Sequence, residues 1–166
     1  EFTIRQLQGG SGLITGREPN PPLGPPNAGL SADLDALAAF CASLAPAPGP
    51  PSADTASVQR GAVIFQRLDV GCARCHVPPR YTDSSLGAAK FVLHDVGTAG
   101  PLEQNGPAFD TPSLHMLWST APYLHDGSAP ALLDVLTTRN RGDLHGRTSL
   151  LSASEISDLI AFLLSL

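Results

Sequence analysis

The residues best suited to chemistry in this chain lie together in the run Cys72-Ala73-Arg74-Cys75-His76. C-x-x-C-H is the attachment sequence of c-type haem. Two thiols three positions apart can reach the two vinyl groups of one porphyrin and become thioethers. The residue after them then offers its imidazole to the iron as proximal ligand. A dithiol redox motif has no need of that histidine. A structural zinc module would have to gather Cys72, Cys75, His76 and His94, because the remaining cysteine, Cys41, stands alone upstream. The expected cofactor is one haem c, covalently bound through Cys72 and Cys75, with His76 on the iron.

A second axial ligand decides what such a haem does. His/Met ligation raises the potential, bis-His ligation generally lowers it, and an open position admits peroxide. His94, His115, Met116, His125 and His145 are the candidates. Met116 is the only methionine, yet it sits in the apolar run Leu114, Met116, Leu117, Trp118, where a methionine ordinarily fills core. His125 precedes Asp126-Gly127, a turn sequence. His145 lies in the loop from Arg139 to Gly146, flexible enough to bend an imidazole onto the distal face. Arg74, Arg80 and Tyr81 could meet the propionates, and Trp118 and Tyr123 could wall the porphyrin.

The elements that must position these groups read as helices joined by long loops. Leu34, Leu37, Ala38, Cys41 and Leu44 follow helical spacing over Ser31 to Leu44, with Ser31 as N-cap and Cys41 as a buried apolar residue. Pro46, Pro48, Pro50 and Pro51 end that helix and form a stiff linker. A helix over Thr55 to Leu68, with Val58, Ala62 and Phe65 on one face and Gly61 bare among them, delivers the chain to the haem sequence. Pro78-Pro79 then breaks the chain into loops, with a short helix near Ser84 to Lys90. Ser128 to Thr138 forms a further helix with Pro130 in its first turn and Leu132, Leu133, Val135 and Leu136 as its apolar side. Ser152 and Glu155 make a capping box for the last helix, whose stripe is Ile156, Leu159, Ile160 and Leu163. Residues 1–29, rich in Gly and Pro, read as irregular.

Residues 30–44 echo 151–166, with Phe40 matching Phe162 and Leu44 matching Leu166. Either the first copy closes a preceding haem domain or two Ala/Leu helices share a composition. The chain is accordingly divided into an extension, 1–50, and a haem domain, 51–166. Of its 166 residues 42% are hydrophobic and only 5% aromatic, so a porphyrin would supply a flat apolar body that the core otherwise lacks. A net charge of −5 argues against nucleic acid as a partner, and no apolar run reaches the length of a membrane span. Because haem is joined to C-x-x-C-H outside the bacterial cytoplasm, an exported, periplasmic protein is expected. With Glu1 in first place, the chain is expected to be a processed product or an excised fragment.

Three further segments, taken in order after C-x-x-C-H, carry a family resemblance. They are Thr111-Pro112-Ser113-Leu114-His115, Ala121-Pro122-Tyr123-Leu124-His125-Asp126-Gly127 and Ala161-Phe162-Leu163-Leu164-Ser165-Leu166. Over residues 55–166 the chain resembles the C-terminal haem domain of the dihaem cytochrome c peroxidases and their methylamine-utilisation dihaem relatives. The resemblance implies an all-α cytochrome c fold with long Pro/Gly-rich loops around the haem, an exported location, and electron transfer to or from a second haem. It gives His125 a structural or haem-edge role. His115 departs from the family's usual arginine, and only one haem sequence is present. In such domains the distal ligand follows the helix after the His-Asp-Gly loop. The matching count lands on Arg139, which cannot ligate iron, and the nearest competent side chain is His145. The favoured reading is therefore a six-coordinate, bis-His haem passing single electrons to a redox partner protein or neighbouring haem domain, with Met116 and His125 as alternative ligands. The competing reading is the haem domain of a peroxidase-type oxidoreductase acting on hydrogen peroxide, which requires an open iron face and a distal acid–base group. Gly61, Phe65 and Phe162 also fit the general cytochrome c pattern in which the first and last helices cross at a glycine.

Overall fold

A computed structural model of the chain describes residues 32–45, 47, 49–50, 54–84, 92–101 and 106–166. The irregular opening segment, the Ser31 cap and all but Ser84 of the helix expected over 84–90 lie outside the described residues. The chain divides into two units, 1–45 and 46–166.

In the first unit α1 runs from Ala32 to Ser43, with Asp33 and Asp35 in its first turn, where they complement the positive end of the helix dipole. Leu37, Phe40 and Leu44 are exposed, and so is Cys41, which corrects the expectation that it is buried. Helical spacing identifies a stripe, but it does not supply the surface that would cover one.

The second unit is built on two helices, α2 (Thr55–Gln66) and α4 (Ala153–Leu164). Asp54 caps α2 by accepting the Ser57 N–H at 2.9 Å. Arg67 at its C-terminus, rather than Leu68, leaves the helix for extended backbone. The Ser152–Glu155 capping box forms as the sequence indicates. The two helices meet at Gly61. A Cβ built there would lie 2.0 Å from the Asp158 carbonyl oxygen and 2.7 Å from the Phe162 Cβ, so the crossing tolerates no side chain. Phe65 and Phe162 pack beside it with ring centres 5.3 Å apart. Ile64, Leu114, Leu132, Leu136, Ile156, Leu159 and Leu163 complete the core around them.

One charged group belongs to this crossing. The Asp158 carboxylate accepts hydrogen bonds from Arg60 Nε at 2.7 Å and from Ser57 Oγ at 2.6 Å. Arg60 first, and Ser57 with it, hold its pKa down to about 2. A carboxyl whose folded pKa is depressed contributes stability that is present above its unfolded value and lost as pH falls through the folded one. The protein should therefore lose this contribution between about pH 4 and about pH 2. Asp158→Asn should be less stable at neutral pH and flatter across that acid window in thermal melts; parallel curves for the two proteins would contradict the assignment.

Shorter elements fill the remainder. α3 spans only Leu132–Leu136, inside the expected 128–138. At its N-terminal side Ala129 is committed to a bridge with Tyr123, through N–H···O contacts of 2.8 and 3.3 Å, and Pro130 has no N–H to give. At its C-terminal side the Thr137 hydroxyl donates to the Leu133 carbonyl at 2.6 Å, a local bond that competes with helix continuation. Leu133, placed by spacing on the apolar side, is exposed. The helical expectation is met in the main elements, and one small hairpin is added to it: β1 (Leu93–Asp95) and β2 (Ala108–Asp110) pair antiparallel, with His94 opposite Phe109. Three-residue strands, one exposed–intermediate–exposed and the other intermediate–intermediate–exposed, give too little alternation to be read from sequence. The unit is mostly helical with one small hairpin. No helix among the described residues is long and apolar enough to cross a membrane.

Candidate functional site

The C-x-x-C-H run folds as one tight turn. Gly71, at φ +90°, adopts the left-handed conformation that glycine takes without steric cost. It precedes a 3-10 turn over Cys72–Arg74. The His76 N–H donates to the Cys72 carbonyl at 3.1 Å, closing a helical loop that brings the ends of the motif together. Arg74, considered as a propionate partner, instead donates to the Leu68 carbonyl at 2.9 Å.

His76 is oriented from the core. Its Nδ1 lies 3.0 Å from the Tyr81 carbonyl. A carbonyl only accepts, so Nδ1 carries the proton and Nε2 keeps its lone pair. Tyr81 is held at φ 53°, an unfavourable region for a side-chain-bearing residue. Its ring sits edge-on to Phe65 at 5.7 Å and to His115 at 5.6 Å, and 6.3 Å from Phe162. The helix crossing thus reaches the site: Gly61 lets Phe65 and Phe162 meet, those rings fix Tyr81, and its carbonyl aims His76. Tyr81 makes this contact through its backbone carbonyl.

The other imidazole arrives on the loop after α3. Asn140 is buried and acts as the hub of that loop. Its amide donates to the Gly146 carbonyl at 2.7 Å and to Thr148 Oγ1 at 2.6 Å, and its carbonyl oxygen accepts the His145 N–H at 2.8 Å. Thr148 in turn donates to the Leu136 carbonyl at 2.7 Å. The Arg147 N–H reaches the buried Val70 carbonyl at 2.8 Å, which ties this loop to the segment just ahead of Cys72. Nothing in the sequence marked Asn140 except its place in a polar loop. Asn140→Ala should cost about 1–3 kcal/mol by leaving buried partners unpaired, and should loosen His145. Thermal melts that match the wild type would contradict this role.

His76 and His145 come together with ring centres 6.3 Å apart and planes inclined at 40°. Two metal–nitrogen bonds of about 2.0–2.1 Å, with about 1.1 Å from each nitrogen to its ring centre, span about 6.3 Å. The spacing suits one metal ion between two imidazoles. Among the described residues neither ring nitrogen of His145 has a hydrogen-bond partner. Burial, and then His76 facing it, push the His145 imidazole down to about 4, so it is neutral at physiological pH. Burial also lowers His76, and the Tyr81 carbonyl partly offsets this. Neutral imidazoles are what a metal binds. Burial raises the Cys72 thiol to about 11, and burial followed by Asp83 raises Cys75. Both sulfurs therefore rest as thiols.

The other candidates make different contacts. Met116, at φ 63°, opens a 3-10 turn and donates its N–H to the Leu166 carbonyl at 3.3 Å. His115 reaches the Pro79 carbonyl through Nε2 at 3.0 Å. His125 is exposed and stacks on Phe109, with centres 4.0 Å apart and planes at 21°. The four residues of the zinc reading are not gathered. His94 instead joins Cys75 and Asp83, their ligand atoms all within 4.8 Å of one another.

Comparison with known proteins agrees with this architecture. Residues 108–145 match the family model described as RoxA-like, cytochrome c-like. Hydrazine synthase subunit gamma of Kuenenia stuttgartiensis is 33% identical, the match covering 68% of this chain and 41% of that protein. Methylamine utilization protein MauG of Methylophilus methylotrophus is 34% identical, over 71% of this chain and 39% of that protein. A solved structure of Kuenenia stuttgartiensis hydrazine synthase superposes with a TM-score of 0.63 at 28% identity, covering 80% of this chain and 55% of that one. The second unit carries a cytochrome c-like domain, and haem c is the cofactor that such a domain implies. Within that class the chain resembles the dihaem cytochrome c peroxidase and methylamine-utilisation proteins. It spans about two fifths of the length of these curated relatives.

Proposed function

We propose that the domain holds one haem c through Cys72 and Cys75, with His76 and His145 as its two axial ligands, and relays single electrons. The observation that carries this reading is the 6.3 Å separation of two neutral, convergent imidazoles, each fixed by its own loop. The haem supplies the one-electron chemistry; the protein holds both ligands, sets the polarity around them and limits water. Tyr81 keeps Nδ1 of His76 protonated and makes the ring a better donor, while Asn140 holds the distal loop so that little rearrangement accompanies a change of charge. Bis-imidazole ligation places the potential toward the low end of the c-type range.

Haem attachment of this kind takes place outside the bacterial cytoplasm, so the native location is periplasmic or otherwise exported. The partner is a redox protein or a haem domain in the same polypeptide, as the length of the relatives suggests. The peroxidase-type reading needs a vacant iron face, and the position of His145 opposite His76 weighs against it. The discriminating experiment supplies the reduced protein with a one-electron acceptor and, separately, with hydrogen peroxide. Rapid oxidation by the acceptor without sustained peroxide turnover is the expected result; sustained turnover would replace electron relay with peroxidase chemistry.

A further inference from the structure

Cys75, His94 and Asp83 form a nucleophile, a base and an orienting carboxylate in series. The Cys75 sulfur lies 3.6 Å from Nδ1 of His94, and Nε2 of His94 lies 2.7 Å from Asp83 Oδ2. A carboxylate accepts only, so the proton of the neutral ring is on Nε2 and the lone pair on Nδ1 faces the sulfur. The other carboxylate oxygen, Oδ1, is buried and has no hydrogen-bond partner among the described residues; burial opposes the charge on Asp83, and His94, followed by the Thr111 side chain, holds its carboxyl below the usual range. The hairpin supplies the rest of the setting. His94 stands opposite Phe109, which is braced by its stack on His125. The segment bearing Asp83 is pinned on both sides: Thr82 Oγ1 donates to the Thr111 carbonyl at 2.6 Å and accepts the Ser84 N–H at 3.0 Å. Cys72 has no comparable neighbour, for no side chain hydrogen-bonds its sulfur among the described residues.

We infer that His94, oriented by Asp83, is an acid–base group for closing the thioether bond at Cys75; this rests on the haem c reading above. The reaction is an addition. The S–H bond breaks and a bond forms from sulfur to the vinyl carbon next to the porphyrin ring. His94 Nδ1 takes the thiol proton and returns it to the terminal vinyl carbon as the double bond is lost. Nothing is oxidised or reduced, and no co-reactant is consumed. The arrangement meets the general requirement for an activated nucleophile, with a base in hydrogen-bond reach and a third group fixing its tautomer. The bond at Cys72 has no such assistance, so the two attachments should differ in their sensitivity to substitution.

The full chain is expressed with a bacterial haem-attachment system, and samples are denatured and alkylated at intervals after haem is supplied. A singly and a doubly attached haem have the same mass, so the readout is free thiols located by peptide mass, with the pyridine haemochrome spectrum as a second measure. Mature wild type should alkylate only at Cys41. His94→Ala should close the Cys75 bond about a hundredfold more slowly, alkylating at Cys41 and Cys75 and matching the haemochrome of a Cys75→Ala reference. Asp83→Asn should show a smaller slowing at the same bond, and it carries the test alone if His94→Ala takes up no haem. Wild-type closure of both bonds in the variants overturns the inference and leaves the haem reading intact. A wild-type chain with no covalent haem at all removes the reading on which it rests.

Discussion

His145→Ala is expected to convert a low-spin, six-coordinate iron to a high-spin, five-coordinate one, with haem still covalently attached. The expectation follows from the two loops that face each other. His76 is held by the Tyr81 carbonyl and His145 by Asn140, and the ring centres stand 6.3 Å apart. Removing one ring leaves a space of imidazole size over the iron, so added imidazole should restore the low-spin spectrum. The bare variant should also bind small ligands that the wild type excludes and should gain some reactivity toward peroxide, since an open position is what that chemistry requires. Met116→Leu should leave the spectrum unchanged, because in this reading the facing pair His76 and His145 supplies both ligands. A low-spin spectrum in His145→Ala identical to that of wild type would exclude His145 as a ligand.

Gly61→Ala should have the largest effect on stability. The added Cβ meets backbone, at 2.0 Å from the Asp158 oxygen and 2.6 Å from its carbonyl carbon, where no flexible side chain can yield. Two helices must therefore separate along the contact that organises the unit. Overpacking in a well-filled core commonly costs 1–3 kcal/mol, and a backbone clash this close places the cost at about 3 kcal/mol or more. The damage should also reach the site, because Phe65 and Phe162 hold the Tyr81 ring whose backbone aims His76. The measurement is the melting temperature together with the yield of haem-bearing protein. Wild-type values for both would show that the crossing is looser than its geometry implies.

Sequence legibility followed from how local each cause is. The Ser152–Glu155 box and the α4 stripe are set within a dozen residues, and the helix formed where they place it. Gly61 was legible because a bare position among apolar helix residues has few other uses. The sequence singles out Tyr81 for its side chain, whereas its contact with His76 is made by the carbonyl, and a main-chain contact leaves no mark on residue type. Asn140 and the His94–Asp83 pair depend on irregular loops folding back on themselves over 5 to 11 residues, which periodicity does not record. α3 was overextended because the Tyr123–Ala129 bridge competes for the same backbone. Residues 30–44 and 151–166 share a sequence pattern, and α1 and α4 are both twelve-residue helices. Their surroundings differ: α4 buries Ile156, Leu159, Phe162 and Leu163, whereas Leu37, Phe40 and Leu44 in and after α1 are exposed. Pattern specified the helix in each case and left its partner undetermined.

The central claim is that one iron sits between His76 and His145 in a porphyrin bound to Cys72 and Cys75. An anomalous-difference map of crystals of the mature protein, recorded at the iron absorption edge, tests it most directly. The account predicts a single iron peak between the two rings, within bonding distance of a nitrogen from each, and continuous density from the porphyrin to both sulfurs. A peak bonded to the Met116 sulfur, or no iron between the two histidines, would contradict it.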